Sequence, residues 1–105
     1  LTVDSIFATL PSRFKKEKAA GKNLKVLFKF NTSSYLVDIS NGELSVNNSA
    51  DNGLSAADCT VETDDETYIA VETGKLNPQE AFMTGKIKVS DLMQMMSFGG
   101  LFKKL

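Results

Sequence analysis

Residues 24–46 read "LKVLFKFNTSSYLVDISNGELSV", and their side chains alternate in character. In an extended chain Leu24, Val26, Phe28 and Phe30 point one way while Lys25 and Lys29 point the other. Tyr35, Val37 and Ile39 repeat the pattern, so a second strand also has one apolar face. Asn41-Gly42 follows, and both positions tolerate positive φ, which makes the pair a two-residue hairpin turn. "ELSV" then returns as a third strand.

Downstream, "NNSADNGLSA" (47–56) reads as a polar loop. "ADCTVE" (57–62) is a fourth strand with Ala57, Cys59 and Val61 inward. Thr63 is the expected cap of a helix from Asp64 to Glu72, with Glu66 at the capping-box spacing and Tyr68, Ile69 and Val71 as apolar content. A second helix opens with Asn77 as cap, Pro78 at its first position and Glu80 in its first turn. Its buried side starts with Ala81 and Phe82, and Gly85 ends it. "KIKV" (86–89) is a short fifth strand. A last helix runs from Ser90 or Asp91 to Phe98 and breaks at Gly99-Gly100.

Upstream, Val3, Ile6, Phe7, Leu10 and Phe14 mark one face of an amphipathic helix, with Asp4 and Ser5 as start signals. Pro11 kinks that helix or ends it at Leu10, where a second short turn begins. Helix, three meandering strands, strand, two short helices, strand and helix make an α+β domain. The five-stranded sheet is mostly antiparallel and covered on one face by helices.

At 105 residues, 42% hydrophobic and 24% charged, the chain is one globular domain. No run reaches the roughly 18 apolar residues of a membrane span. The sequence starts on Leu1 rather than Met, so a longer natural chain ending in this domain is an expectation. One cysteine, Cys59, permits no internal disulfide and fits a reducing compartment. The absence of histidine removes the usual general base, the His-dependent triads and the common zinc sites. Asp64-Asp65-Glu66 serve a helix start, and Cys59 in an alternating strand reads as an inert buried thiol. No metal, cofactor or catalytic set is expected. Basic residues crowd the first third without interleaved aromatics, and the net charge is −1, so nucleic acid is not an expected partner.

The stretch "GKLNPQEAFMTGKIKV" (74–89) resembles the hallmark run of the sterol carrier protein type 2 domain family, also called non-specific lipid-transfer proteins. The matching positions are Gly74, Lys75, Leu76, Asn77, Pro78, Gln79, Ala81, Phe82, Gly85, Lys86, Ile87 and Lys88. "IFATLP" (6–11) and "ADCT" (57–60) fit as well. The resemblance implies an apolar lipid tunnel between sheet and helices. It also implies non-catalytic binding and transfer of fatty acids, fatty acyl-CoAs, sterols or phospholipids.

Carried over, Gln79 would be the polar group near the ligand, with Phe82, Met83 and Ile87 lining the tunnel. Phe7, Leu10, Phe14, Val89, Leu92, Met93, Met95, Met96, Phe98 and Phe102 join them as expected lipid contacts. Lys15, Lys16, Lys86, Lys88 and Lys104 are the expected contacts of anionic headgroups or a CoA phosphate, and membrane-surface contact is a further expectation. Many family members end in a Ser-Lys-Leu or Ala-Lys-Leu peroxisomal address. Lys103-Lys104-Leu105 matches its last two positions, which suggests a peroxisomal import receptor as partner, and otherwise a cytoplasmic location. The rival role is a substrate-presenting module of a multidomain peroxisomal lipid-metabolising enzyme.

Where this chain departs from the family, with Ser90-Asp91 after the last strand and a glycine pair behind three methionines, a mobile part is expected. A dry cavity of about 300 Å³ would cost roughly 7 kcal/mol. Met93, Met95, Met96, Phe98, Leu101 and Phe102 are therefore expected to act as a movable plug jointed at Gly99-Gly100.

Overall fold

A computed structural model describes residues 2–31, 33–48 and 57–103. The loop expected at 47–56 lies outside them from residue 49 onward, as do Lys104 and Leu105. Helices α1 (Val3–Ala8) and α2 (Leu10–Arg13) and a 3₁₀ turn at Lys16–Lys18 precede strands β1 (Leu24–Lys29), β2 (Ser34–Ser40) and β3 (Glu43–Asn47). Strand β4 (Cys59–Thr63), helices α3 (Asp65–Glu72) and α4 (Pro78–Met83), strand β5 (Ile87–Val89) and helix α5 (Leu92–Gly99) complete the order.

The strands lie in the order β3-β2-β1-β4-β5. All neighbours pair antiparallel except β1 and β4, which are parallel. A parallel pair needs a crossover, and the chain makes it by leaving the β3 edge and re-entering beyond β1. Register sets one face: Phe28 lies beside Tyr35 and Val61, Val26 beside Val37 and Cys59, Val61 beside Val89. This face packs on Val3, Ile6, Phe7 and Leu10 from the first two helices, Tyr68 from α3 and Phe98 from α5. Lys25, Lys29, Glu62 and Lys88 fall on the other face, as alternation requires.

Several boundaries differ from the expected ones. Pro11 has no N–H to give and its ring crowds the carbonyl of Phe7, so α1 ends at Ala8 and α2 starts with the proline in its first turn. The cap of α1 is Thr2, whose hydroxyl accepts from Ser5 N–H while the Ser5 hydroxyl accepts from Thr2 N–H. Asp64, not Thr63, caps α3, accepting from Thr67 N–H at 2.6 Å. Thr63 is still in β4, paired with Ile87, and its hydroxyl donates to the Lys86 carbonyl. Strand β4 begins at Cys59, leaving Ala57 half-buried before it. Asn77 and Pro78 stand as cap and first residue of α4, and Asp91 caps α5. Cys59 is buried, with its thiol donating to the Asp91 carbonyl.

The hairpin turn is held against the segment before β1. Asn41 and Gly42 both have positive φ, 50° and 77°, and Asn41 N–H donates to Asn23 Oδ1 at 3.0 Å. A Cβ on Gly42 would lie 3.3 Å from the Ala19 carbonyl oxygen and 3.5 Å from Ala20 Cα. Gly21 shares the positive φ, yet nothing lies within 4 Å of its would-be Cβ. In urea melts, Gly42→Ala is expected to lower stability by about 2 kcal/mol and Gly21→Ala by about 1 kcal/mol. Equal losses would show that close approach at the turn contributes nothing.

Candidate functional site

The short helices do not cover the sheet face fully. Between α2, β1, α3 and α5 they leave a partly enclosed cavity of about 590 Å³. Its inner wall is Leu10, Phe28, Tyr68, Val71, Met95 and Phe98. The connection from α3 to α4 supplies Thr73, Gly74, Leu76, Asn77 and Pro78, and the chain after α5 supplies Phe102 and Lys103. Rings do much of the enclosing: Phe98 lies 5.6 Å from Phe28 and 4.9 Å from Phe102, and Phe102 packs on Phe14 at 5.4 Å.

The segment after α5 is strapped down. Lys15 N–H donates to the Leu101 carbonyl at 2.7 Å and Lys103 N–H to the Arg13 carbonyl at 2.8 Å, forming an antiparallel bridge between Phe14 and Phe102. Leu101 and Phe102 are buried.

The polar content of the wall centres on Arg13. Its Nη2 lies 3.0 Å from Glu72 Oε2, its Nε donates to the Lys103 carbonyl at 2.8 Å, and its Nη1 donates to Thr9 Oγ1 at 3.1 Å. One turn before Glu72, Tyr68 is buried. Burial first, then the Glu72 charge and a hydrogen bond to Glu72, push its phenol well above the usual value, with Arg13 opposing.

Of the lipid contacts expected from sequence, Leu10, Met95, Phe98 and Phe102 line this cavity. Phe7 sits behind it in the core, 5.3 Å from Phe28, and half-buried Phe14 backs Phe102. Gln79 is exposed on α4, and Phe82 is half-buried there. Ile87 and Val89 pack on the core from the edge strand. Met83, Leu92, Met93 and Met96 are 82%, 44%, 76% and 60% exposed. The expected plug is thus corrected: Phe98, Leu101 and Phe102 turn inward with Met95, while Met93 and Met96 face out. Helical phase is the reason, since Met95 is three residues from Phe98 and shares its side, whereas Met93 and Met96 do not.

None of the four described lysines expected to meet a headgroup lines the cavity. Lys15 is half-buried beside α2, and Lys16 pairs with Glu43 at 3.0 Å. Lys86 and Lys88 border a shallower depression of about 430 Å³ with Lys29, Glu62 and Asp64. Lys104 lies outside the described residues. Sequence reasoning missed Arg13, Tyr68 and Glu72. A signal existed: Arg13 is the only arginine among twelve basic residues, and a fixed fork of donors suits a partly buried carboxylate better than lysine does. Tyr68 and Glu72, four apart on α3, share one side.

Residues 7–103 match the family model described as the SCP-2 sterol transfer family. Sterol carrier protein 2 of Gallus gallus is 44% identical over 63 residues, 60% of this chain and 11% of that protein. Peroxisomal multifunctional enzyme A of Dictyostelium discoideum is 38% identical over 63 residues, 60% of this chain and 14% of the relative. The chain thus spans a small fraction of the length of these relatives. The stereoselective inverting sec-alkylsulfatase Pisa1 of Pseudomonas sp. superposes with a TM-score of 0.84 at 26% identity, covering 100% of this chain and 17% of that one. Sterol carrier protein 2 of Yarrowia lipolytica, in its apo form, superposes with a TM-score of 0.59 at 26% identity, covering 82% and 68%.

The Tyr68 phenol supplies a pH test. Its folded pKa is raised above the unfolded value of about 10, so the folded state keeps a proton that the unfolded chain gives up. Stability is therefore complete below about pH 10 and falls as pH rises from there towards the folded pKa. Tyr68→Phe is expected to flatten that alkaline fall in urea midpoints measured against pH. An unchanged slope would show that the phenol is not held neutral by its site.

Proposed function

The chain belongs to the SCP-2 sterol transfer family, and from that membership we propose that it binds one lipid molecule at a time in the cavity beside Phe28 and carries it without transforming it. The observation that carries this reading is a partly enclosed cavity of about 590 Å³ with an apolar inner wall, in the size range of small-molecule sites. Each buried CH₂ gains about 0.8 kcal/mol, so sixteen carbons gain roughly 12 kcal/mol gross. Association costs on the order of 4–15 kcal/mol, and the difference suits pick-up and release. Fatty acids, fatty acyl-CoAs, sterols and phospholipids all fit the apolar requirement, and the head group decides among them.

A dry cavity of this size would cost about 14 kcal/mol, as much as a whole domain's stability. A partly open one avoids that cost, and Phe98, Leu101 and Phe102 form a wall that can move. Beyond the glycine pair this wall depends on the two backbone hydrogen bonds to Arg13 and Lys15. Leu92 and Met96 lie on the same helix beside the Met95–Gly99 stripe that faces the cavity, with Met93 next to them. This exposed apolar shoulder, continuous with the cavity wall, meets the bilayer from which the lipid is drawn, and exposed Lys75 and Lys103 meet its anionic headgroups. A peroxisomal location accords with the relative named as a peroxisomal enzyme.

A second reading has its own support. The superposition on part of a sec-alkylsulfatase is closer and more complete than that on the Yarrowia carrier. In that reading the domain presents a lipid substrate to a catalytic domain of the same polypeptide. The mass of the native protein in its source cells separates the two.

Native mass spectrometry after incubation with lipid vesicles is expected to show one bound lipid per chain. Met95→Asp, which sets a charge on the apolar wall, is expected to weaken binding about a hundredfold. An unchanged affinity would place the lipid elsewhere. Met93→Gln with Met96→Gln is expected to slow transfer between anionic vesicles several-fold while leaving lipid affinity within about twofold. Loss of affinity with no change in transfer rate would refute the shoulder's role.

A further inference from the structure

The cavity holds an ion pair that is closed on itself. Arg13 and Glu72 side chains are 12% and 22% exposed, and both face the same apolar space. Each nitrogen of the guanidinium already donates once: to Thr9, to Glu72 and to the Lys103 carbonyl. The arginine is therefore not an open anion site. Its charge is matched, and the matching carboxylate lines the same wall.

A fatty carboxylate entering head-first has two ways to reach Arg13. It can share the guanidinium with Glu72, which sets two carboxylates side by side where little water screens them. Or it can displace Glu72, which leaves that carboxylate partly buried without its cation and frees the strap at Lys103. A hydroxyl meets neither obstacle. It donates to a lone pair of Glu72 and accepts from the second N–H of an Arg13 terminal nitrogen, adding no charge. Lys103 brings the other cation of the wall, but its ammonium is on an exposed, flexible side chain, and what faces Arg13 is its backbone carbonyl.

Building on the carrier reading, we propose that the Arg13–Glu72 pair makes this cavity select an apolar molecule with an uncharged hydroxyl head, of the long-chain alcohol type, and that Glu72 is the residue that turns fatty carboxylates away. A site built to hydrogen-bond a hydroxyl discriminates strongly, because its partly buried polar groups go unpaired with the wrong head.

The test compares dodecanol, dodecanoate and methyl dodecanoate by isothermal titration calorimetry at about pH 8, where the acid is ionised. Wild-type protein is expected to bind dodecanol at least about tenfold tighter than dodecanoate, the scale of one misplaced charge. The methyl ester, with the same chain and no charge, is expected to fall between them. Glu72→Gln keeps an amide oxygen to accept from Arg13 but drops the negative charge. In it, dodecanoate is expected to gain at least about tenfold and dodecanol to change less than about threefold. Dodecanoate binding as tightly as dodecanol in the wild type, or an unchanged ratio in Glu72→Gln, overturns the selection by Glu72 and leaves the carrier reading standing. If none of the three binds the wild type, both readings fall. The wild-type comparison of acid with ester stands even if the variant does not fold.

Discussion

Phe28, in the middle of the central strand, touches the rings of Phe7, Phe30, Tyr68 and Phe98 at centroid distances of 5.3, 6.3, 6.0 and 5.6 Å. Those partners come from α1, from beyond β1, from α3 and from α5. One side chain thus fixes how three helices sit on the sheet. Aromatic pairs favour particular edge-on, tilted or offset geometries, so these ring contacts set the angle at which each helix meets the sheet. The helices are also short: six residues in α1, eight each in α3 and α5. Three such helices pinned to one ring cannot roof a five-stranded sheet, and the gap appears on the side of Phe28 that Phe98 and Leu10 flank. The cavity is a consequence of how the core is anchored.

This explains which parts of the molecule were legible beforehand. The alternation in 24–46 carries the fold because a one-residue slip would turn Val26 and Phe28 outward and Lys25 and Lys29 inward. The Asn-Gly turn and the Asn77-Pro78 helix start are local signals, and the structure keeps them, while the last helix runs one residue past the expected end, through Gly99 to a cap at Gly100. Where a local signal competes with a tertiary one, it loses. Thr63 was a reasonable cap, but pairing with Ile87 holds it in the strand and Asp64 takes the role. The parallel pairing of β1 with β4 is set by contacts more than thirty residues apart, which no window of sequence contains.

The site was less legible than the fold. The family run at 74–89 is the most recognisable stretch, yet only its first residues, Gly74, Leu76, Asn77 and Pro78, reach the cavity wall. Its remainder builds α4 and the edge strand. Composition made the methionines look alike, and what separates Met95 from Met93 and Met96 is their angle around a helix whose phase is set by buried Phe98. Arg13 looked like one more cation in a basic segment. Its meaning depends on Glu72, 59 residues away.

An ion pair in such a wall calls for its own account. Replacing Arg13 and Glu72 with leucine and methionine would enlarge the apolar surface, and buried pairs of this kind add little stability over well-packed apolar residues. Stability is therefore a weak reason for the pair to be there. What it does supply is orientation. Arg13 joins α2 to the end of α3 through Glu72 and to the segment after α5 through the Lys103 carbonyl, so the two sides of the cavity are held by one group. A purely apolar cavity would accept an alkyl chain in either direction and hold it by area alone. One with a single polar corner gives the head of the ligand one place to go, and the same corner is where the wall is strapped shut. Recognition of the head group and opening of the wall thus act on the same guanidinium, so a head that pulls Arg13 away from Lys103 also loosens the wall that keeps its tail enclosed.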